Sequence, residues 1–274
     1  MRFAIVSLLA CGFAVAAAPT KIVLVAGRPS HGPGAHEFNA GVLLLEKMLQ
    51  QNKDVQAVVV KGGWPADESV FNGAKAVVFY LDGGDRHPFL TGNRMQTLRR
   101  LMEGGVGLGC MHYCVEIPKD NGGTELLEWL GGYYERPYST NPISDVEVTQ
   151  ASPKHPVSRG WTSFAGKDEW YYRIRFRDND KRVTPILTTR LPKEAPNTET
   201  IAWVTVRSNS GRSFGFTGGH FHDNWGQPEF RRMVVNALLW IAKAEVPKQG
   251  AKADLAADDL SKNLDPKPAP KKKG

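Results

Sequence analysis

Five of the seven histidines in this 274-residue chain sit in Gly- and Pro-rich stretches that follow apolar runs. His31 and His36 lie in residues 27–39, and His112 ends the stretch Gly104-Gly105-Val106-Gly107-Leu108-Gly109-Cys110-Met111. His220 and His222 lie in residues 218–225. If those runs are strands of one sheet, the histidines share an edge. Imidazoles with a carboxylate and one open position suit a divalent ion used as a Lewis acid, Zn²⁺ or Mn²⁺ above all. Glu169, just ahead of Trp170-Tyr171-Tyr172, can supply the carboxylate. The His220-x-His222 spacing puts both rings on one face of an extended segment, as chelation requires. The expected metal ligands are therefore His31, His112, His220 and His222, and the expected catalytic groups are His112, Glu169 and His220. Plainer roles compete: His31 or His36 capping the next helix, and His222 stacking on Trp225.

Cys110 and Cys114 offer a different chemistry. A thiolate beside a histidine is a sound nucleophile, although free cysteines usually pack as small hydrophobes. Four residues apart at a strand-to-helix turn, the two could be bridged only with strain, so no structural disulfide is expected.

The elements that must position these groups read as an alternation. Residues 21–26, 55–60, 74–81 and 106–108 are apolar runs of the kind buried on both faces of a parallel sheet. Helices are expected around residues 43–48 and over 94–103, the latter stopped by Gly104-Gly105. Such an order gives right-handed crossovers and an α/β, doubly wound, flavodoxin-like fold with helices on both faces of a mainly parallel sheet. Ligands of open sheets bind at the carboxyl ends of the strands. Beyond residue 112, a short helix over 124–130 precedes short strands around 146–148, 168–172 and 183–187, laid beside the main sheet. Residues 201–206 and 213–217 form a hairpin turning at Asn209-Ser210-Gly211. A last amphipathic helix covers 228–244.

Both ends stand apart. Residues 1–18 have a basic start, an apolar middle and small residues at the end, the pattern of a signal peptide and too short for a membrane span. The protein is thus expected to be exported, to the periplasm or beyond; Cys11 only faintly suggests a lipoprotein. Residues 247–274, rich in Lys, Ala, Asp and Pro and without aromatics, read as a disordered tail. Of the net charge of +7, the two ends carry four. The domain over 19–246 is left nearly balanced, which argues against a nucleic-acid partner.

The order of several short motifs resembles the ThuA-like (trehalose utilisation) family of the class I glutamine-amidotransferase-like superfamily. These are the Gly-rich strand ending in His112, Trp129-Leu130-Gly131-Gly132-Tyr133, His155-Pro156-Val157, Asp168-Glu169-Trp170-Tyr171, Ile201-Ala202-Trp203-Val204, Gly211-Arg212 leading to Gly218-Gly219-His220, and Trp240. The loop Ser30-His31-Gly32-Pro33-Gly34-Ala35-His36-Glu37 is richer in histidine than that family's usual first loop. The resemblance implies a flavodoxin-like fold and action on a sugar or an oxidised, 3-keto sugar, and a metal site with a proton-moving group fits isomerisation, elimination or hydrolysis. Arg28, His36, Asp82, Arg86 and Tyr113 would then hold the small-molecule substrate, and Trp170 and Trp225 would stack on its ring, with Trp64, Tyr171 and Tyr172 as further stacking candidates. The superfamily also implies a Cys110-dependent amidase or hydrolase, with His220-Phe221-His222-Asp223 as partner loop. The amidotransferase elbow, however, is Cys-x-Gly, and here it is Cys110-Met111-His112. A carbohydrate-binding protein without catalysis is the remaining alternative.

Overall fold

The computed structural model describes residues 18–267. The expected signal peptide, apart from Ala18, and the last seven residues of the expected tail lie outside the described residues. Among the described residues, no helix is long and apolar enough to cross a membrane.

A nine-stranded sheet carries the fold. Its strands are β1 (Thr20–Ala26), β2 (Val55–Val60), β3 (Ala76–Tyr80), β4 (Gly107–Met111), β6 (Ile143–Gln150), β7 (Phe164–Glu169), β9 (Val183–Leu191), β10 (Asn197–Val206) and β11 (Arg212–Phe216); β5 (Gly132–Tyr133) and β8 (Arg175–Phe176) form a small separate pair. The order is β2-β1-β3-β4-β11-β10-β9-β6-β7. The first five are mutually parallel, and β10 turns antiparallel against β11 to begin an antiparallel extension. Ile22 through Ala26 have no exposed surface. They supply alternate side chains to two core layers, Ile22, Leu24 and Ala26 to one and Val23 and Val25 to the other. Helices α1 (Phe38–Leu49) and α4 (Pro228–Ile241) cover the first face; α2 (Arg94–Glu103) and α3 (Thr124–Trp129) cover the second. This is a flavodoxin-like, doubly wound α/β fold. A Cβ on Gly107 would stand 2.4 Å from the carbonyl oxygen of Ile241. The glycines of β4 therefore let α4 lie directly on the strand.

Two expectations need correction. The strands after residue 140 are not short pieces beside the sheet: β9 and β10 are among its longest members and lie within it. Residues 247–267 are not a disordered tail. They run back over α1 and α4, burying Ala251 and Ala253. The Asn52 and Gln51 side chains bond the backbone of Lys252 and Asp254, Asn236 receives the Ala251 N–H, and Lys47 pairs with Asp259 at 2.6 Å. Polar partners at fixed positions order the segment where apolar burial alone is small.

Candidate functional site

Because β1, β3, β4 and β11 run parallel and side by side, their carboxyl ends deliver four loops to one edge. These loops carry His31 and His36, Asp82, His112 and His220. The first and last are joined through their backbones, with the His36 N–H donating to the His220 carbonyl at 2.9 Å and the His222 N–H to the Gly34 carbonyl at 2.9 Å. The edge strand β7 returns to the same place through Asp168. Its buried carboxylate accepts the N–H groups of Gly219 at 2.6 Å, His220 at 3.0 Å and Phe221 at 3.4 Å, fixing the loop that presents His220. Burial raises the Asp168 carboxyl to about 6 against the pull of those donors.

Three imidazole nitrogens meet at one point. His36 Nε2 lies 3.0 Å from His220 Nδ1 and 3.0 Å from His112 Nε2, and the last two are 3.2 Å apart. Glu169 Oε2 stands 3.3 Å from His220 Nδ1 and 3.5 Å from His112 Nε2. A tetrahedral ion with ligands at 2.0–2.1 Å has edges of about 3.3 Å, so these separations match that cage. The three rings are buried and the Glu169 side chain is 18 % exposed, so the cage meets solvent on the Glu169 side.

The outer ring nitrogens show what the inner ones carry. His112 Nδ1 is 2.8 Å from the carbonyl oxygen of Thr217, which can only accept, so the proton sits on Nδ1. His36 Nδ1 faces Asp82 Oδ1 at 2.8 Å and, by the same assignment, donates to that carboxylate. Burial would raise the Asp82 carboxyl, but the hydrogen bonds with His36 and Ser30 outweigh it and hold it low. Burial drives His36 down to about 4 and His112 well below the usual imidazole range, keeping both neutral. Two Nε2 lone pairs are thereby pointed at each other across 3.0 Å, an arrangement that a shared cation relieves.

Backbone strain gathers at the same place. His31, His36 and His112 have φ of +62°, +49° and +52°. Non-glycine residues rarely adopt such angles, and outliers of this kind cluster at functional sites.

Of the residues expected at the site, His36, His112, Glu169 and His220 converge in one group, and His31, His36 and Asp82 form a second, more exposed group beside it. His36, expected to hold substrate, is thus better placed as a ligand. His222 does not join: a turn of 3-10 helix begins there, and its Nε2 donates to the Leu260 carbonyl at 3.1 Å in the C-terminal segment. Trp170 and Trp225 do not reach a ligand either. Both are fully buried; Trp170 packs near Phe216, and Trp225 lies between Tyr80 and Phe230. Trp170 follows Glu169 in the chain and so points into the core. Tyr171 and Tyr172 are likewise buried. Cys110 faces the second core layer with Cys114 as neighbour, and burial pushes the Cys114 thiol up, away from nucleophile chemistry. Both cysteines are free thiols.

Arg28, Asp82, Arg86 and Tyr113 line one cavity of about 650 Å³ that opens beside the cage, together with Trp64. Sequence reasoning missed Asp168 and Arg94. Arg94 lies on a helix and reaches the cavity only because α2 starts at its rim, whereas Asp168 had a signal in its position beside Glu169.

A family model described as ThuA, trehalose utilisation, matches residues 22–241. No curated protein matches the sequence. Among solved structures, the chain is similar to a protein described as ThuA-like from Bacteroides uniformis, with TM-score 0.61 and 19% identity over 84% of this chain and 95% of that one. A second, from Parabacteroides merdae, gives TM-score 0.59 and 17% identity over 88% and 99%. The carbohydrate deacetylase Agd3 gives TM-score 0.50 and 12% identity over 82% of this chain but 32% of that one. At these identities the likenesses speak for the fold.

Proposed function

The chain belongs to the ThuA (trehalose utilisation) family, and from that premise we propose that it is an exported, metal-dependent enzyme acting on a sugar or keto-sugar. The family and the carbohydrate deacetylase among similar structures fit a sugar-related role. One observation carries the metal: the Nε2 lone pairs of His36 and His112 face each other at 3.0 Å, with His220 Nδ1 completing the triangle.

A divalent ion, Zn²⁺ or Mn²⁺, held by His36, His112 and His220 would polarise a carbonyl or hydroxyl oxygen. The protein's own residues supply the rest. Asp82, the Thr217 carbonyl and Asp168 hold His36, His112 and the His220 loop in their orientations. Glu169, on the solvent side of the cage and left off the metal, would be the group in reach to take a proton from the substrate and return it. Such proton movement serves isomerisation, elimination and hydrolysis alike.

Metal content by mass spectrometry tests the reading, on the full chain as isolated and after incubation with Zn²⁺ or Mn²⁺. About one ion per chain is expected, lost in His36→Ala, His112→Ala and His220→Ala and kept in His222→Ala. Turnover of 3-keto glycosides should follow the metal and fall in Glu169→Gln. A metal-free protein, or loss of metal in His222→Ala alone, would overturn the metal site. Stoichiometric metal with sugar binding and no turnover would leave a carbohydrate-binding protein.

A further inference from the structure

The cavity beside the cage has a charge pattern that a neutral sugar does not explain. Arg28, Arg86 and Arg94 all line it. Other arginines near the surface are matched by carboxylates, Arg136 to Glu116 at 2.6 Å, Arg175 to Glu135 at 3.0 Å and Arg182 to Asp180 at 2.7 Å, and the buried Arg207 is held by carbonyls and the Ser213 hydroxyl. Among the described residues, no carboxylate comes within 4.0 Å of any of the three cavity guanidinium groups. Arg94 is steadied by the Pro88 carbonyl at 2.9 Å and lies 5.5 Å from the centre of the Trp64 ring, which leaves most of its donors free. Arg28 has only a long contact with the Gly62 carbonyl at 3.4 Å.

The acceptors are as telling. The cavity's only carboxylate is Asp82, already engaged by His36. No Asn, Gln or Glu lines it. A polyhydroxyl ring is usually held by a mixture of donors and acceptors, whereas this wall offers mainly guanidinium donors, the groups that match carboxylate, sulfate and phosphate oxygens. Asp82 and Tyr113 link the two regions, since Asp82 bonds His36 and the Tyr113 ring centre lies 6.2 Å from that of His36.

We propose that the substrate is an acidic sugar, whose anionic group is held by Arg28, Arg86 and Arg94 while its ring extends past Asp82 and Tyr113 to the histidine cage. This rests on the sugar-acting reading of that site and names the substrate class. Trp64 at the cavity wall is stacked on Phe79 and carries the Arg94 guanidinium over its ring, so its part is to position Arg94.

Titration calorimetry on the zinc-treated full chain tests it, with glucuronate, glucose 6-sulfate, glucose 6-phosphate, glucose and inorganic sulfate as probes. At least one acidic sugar should bind tenfold or more tighter than glucose. The Arg86→Gln/Arg94→Gln double variant should bring its Kd to that of glucose, with metal content and circular dichroism unchanged; both side chains are at the surface of the cavity. The proposal is overturned if glucose binds as well as every acidic sugar, if the preference survives the double variant, or if inorganic sulfate binds as tightly as the best acidic sugar. Failure to bind any probe also overturns it. Glucose binding without an acidic preference would leave the sugar reading standing and remove only this inference.

Discussion

Replacing Asp82 by asparagine tests the logic of the cage without touching a ligand. Asp82 accepts the Nδ1 proton of His36 at 2.8 Å, and that bond sets which nitrogen of His36 faces the centre. The variant keeps the shape but removes the charge and offers an amide that can donate to Nδ1 and reverse the tautomer. Loss of such an outer partner costs 10–100-fold in metal affinity, about 1.4–2.8 kcal/mol. The structure argues for the lower half of that range. Only one of three histidines is loosened, because His112 is held by the Thr217 carbonyl and the His220 loop by Asp168. Asp82 is also 36 % exposed, so solvent already screens its charge. About tenfold weaker Zn²⁺ binding is therefore expected, measured by competition with a chelator and with circular dichroism as the control for folding. An Asp82→Asn protein that binds Zn²⁺ within twofold of the parent would refute the reasoning, since the tautomer of His36 would then be set by something else.

Two further predictions concern stability. Lys267 and Glu37 form a pair at 3.2 Å with both side chains 2 % exposed; Lys267→Met strands the Glu37 carboxylate and should cost about 3 kcal/mol, read as a lower urea midpoint. That figure is the low end because Glu37 keeps the N–H groups of Gly34 and Asp265, and an unchanged midpoint would show that the C-terminal segment does not grip the His36 loop. His87, wholly buried, is driven from 6.5 to about 4 by burial, while its ring accepts the Phe89 N–H and its Nε2 donates to the Cys114 carbonyl. Between those values the unfolded chain binds the proton and the folded chain does not, so stability falls as pH drops from 6.5 to 4, by up to about 3 kcal/mol. In His87→Gln the loss of midpoint between pH 7 and pH 4.5 should shrink, and an identical slope would exclude His87 as its source.

The parallel half of the sheet was legible because its strands are buried on both faces and so appear as unbroken apolar runs: residues 21–26 and 74–81 correspond to β1 and β3 with errors at the ends only. The antiparallel half was less so. Strand β9 continues through Thr188, Thr189 and Arg190, whose pairing with Thr200, Glu199 and Thr198 in β10 holds them extended without a hydrophobic signal. The C-terminal segment misled for a related reason. Its composition says little about burial, yet Asn52, Gln51 and Asn236 wait some distance away to bond its backbone, and composition carries no record of such partners.

At the site, the spacing of histidines behind strands identified the loops but not which rings turn inward. His220-x-His222 reads as a chelating pair only while the backbone stays extended; Gly219 at φ +106° and the 3-10 turn starting at His222 break that alternation, and one ring leaves for Leu260. His31 and His36 could not be ranked without knowing that Ala35 pairs with Phe221, a bridge between loops distant in sequence that carries His36 to the centre and leaves His31 exposed at the rim. The left-handed backbone of these histidines then distinguishes a site from a helix cap or a core. A left-handed L-residue costs about 1–2 kcal/mol, and neither capping nor apolar packing requires it at both His36 and His112, on neighbouring strand ends. Aiming imidazole nitrogens at a single point accounts for it, because the strand ends arrive side by side and the chain must turn back sharply, left-handed at His36 and His112 and at Gly219 just before His220.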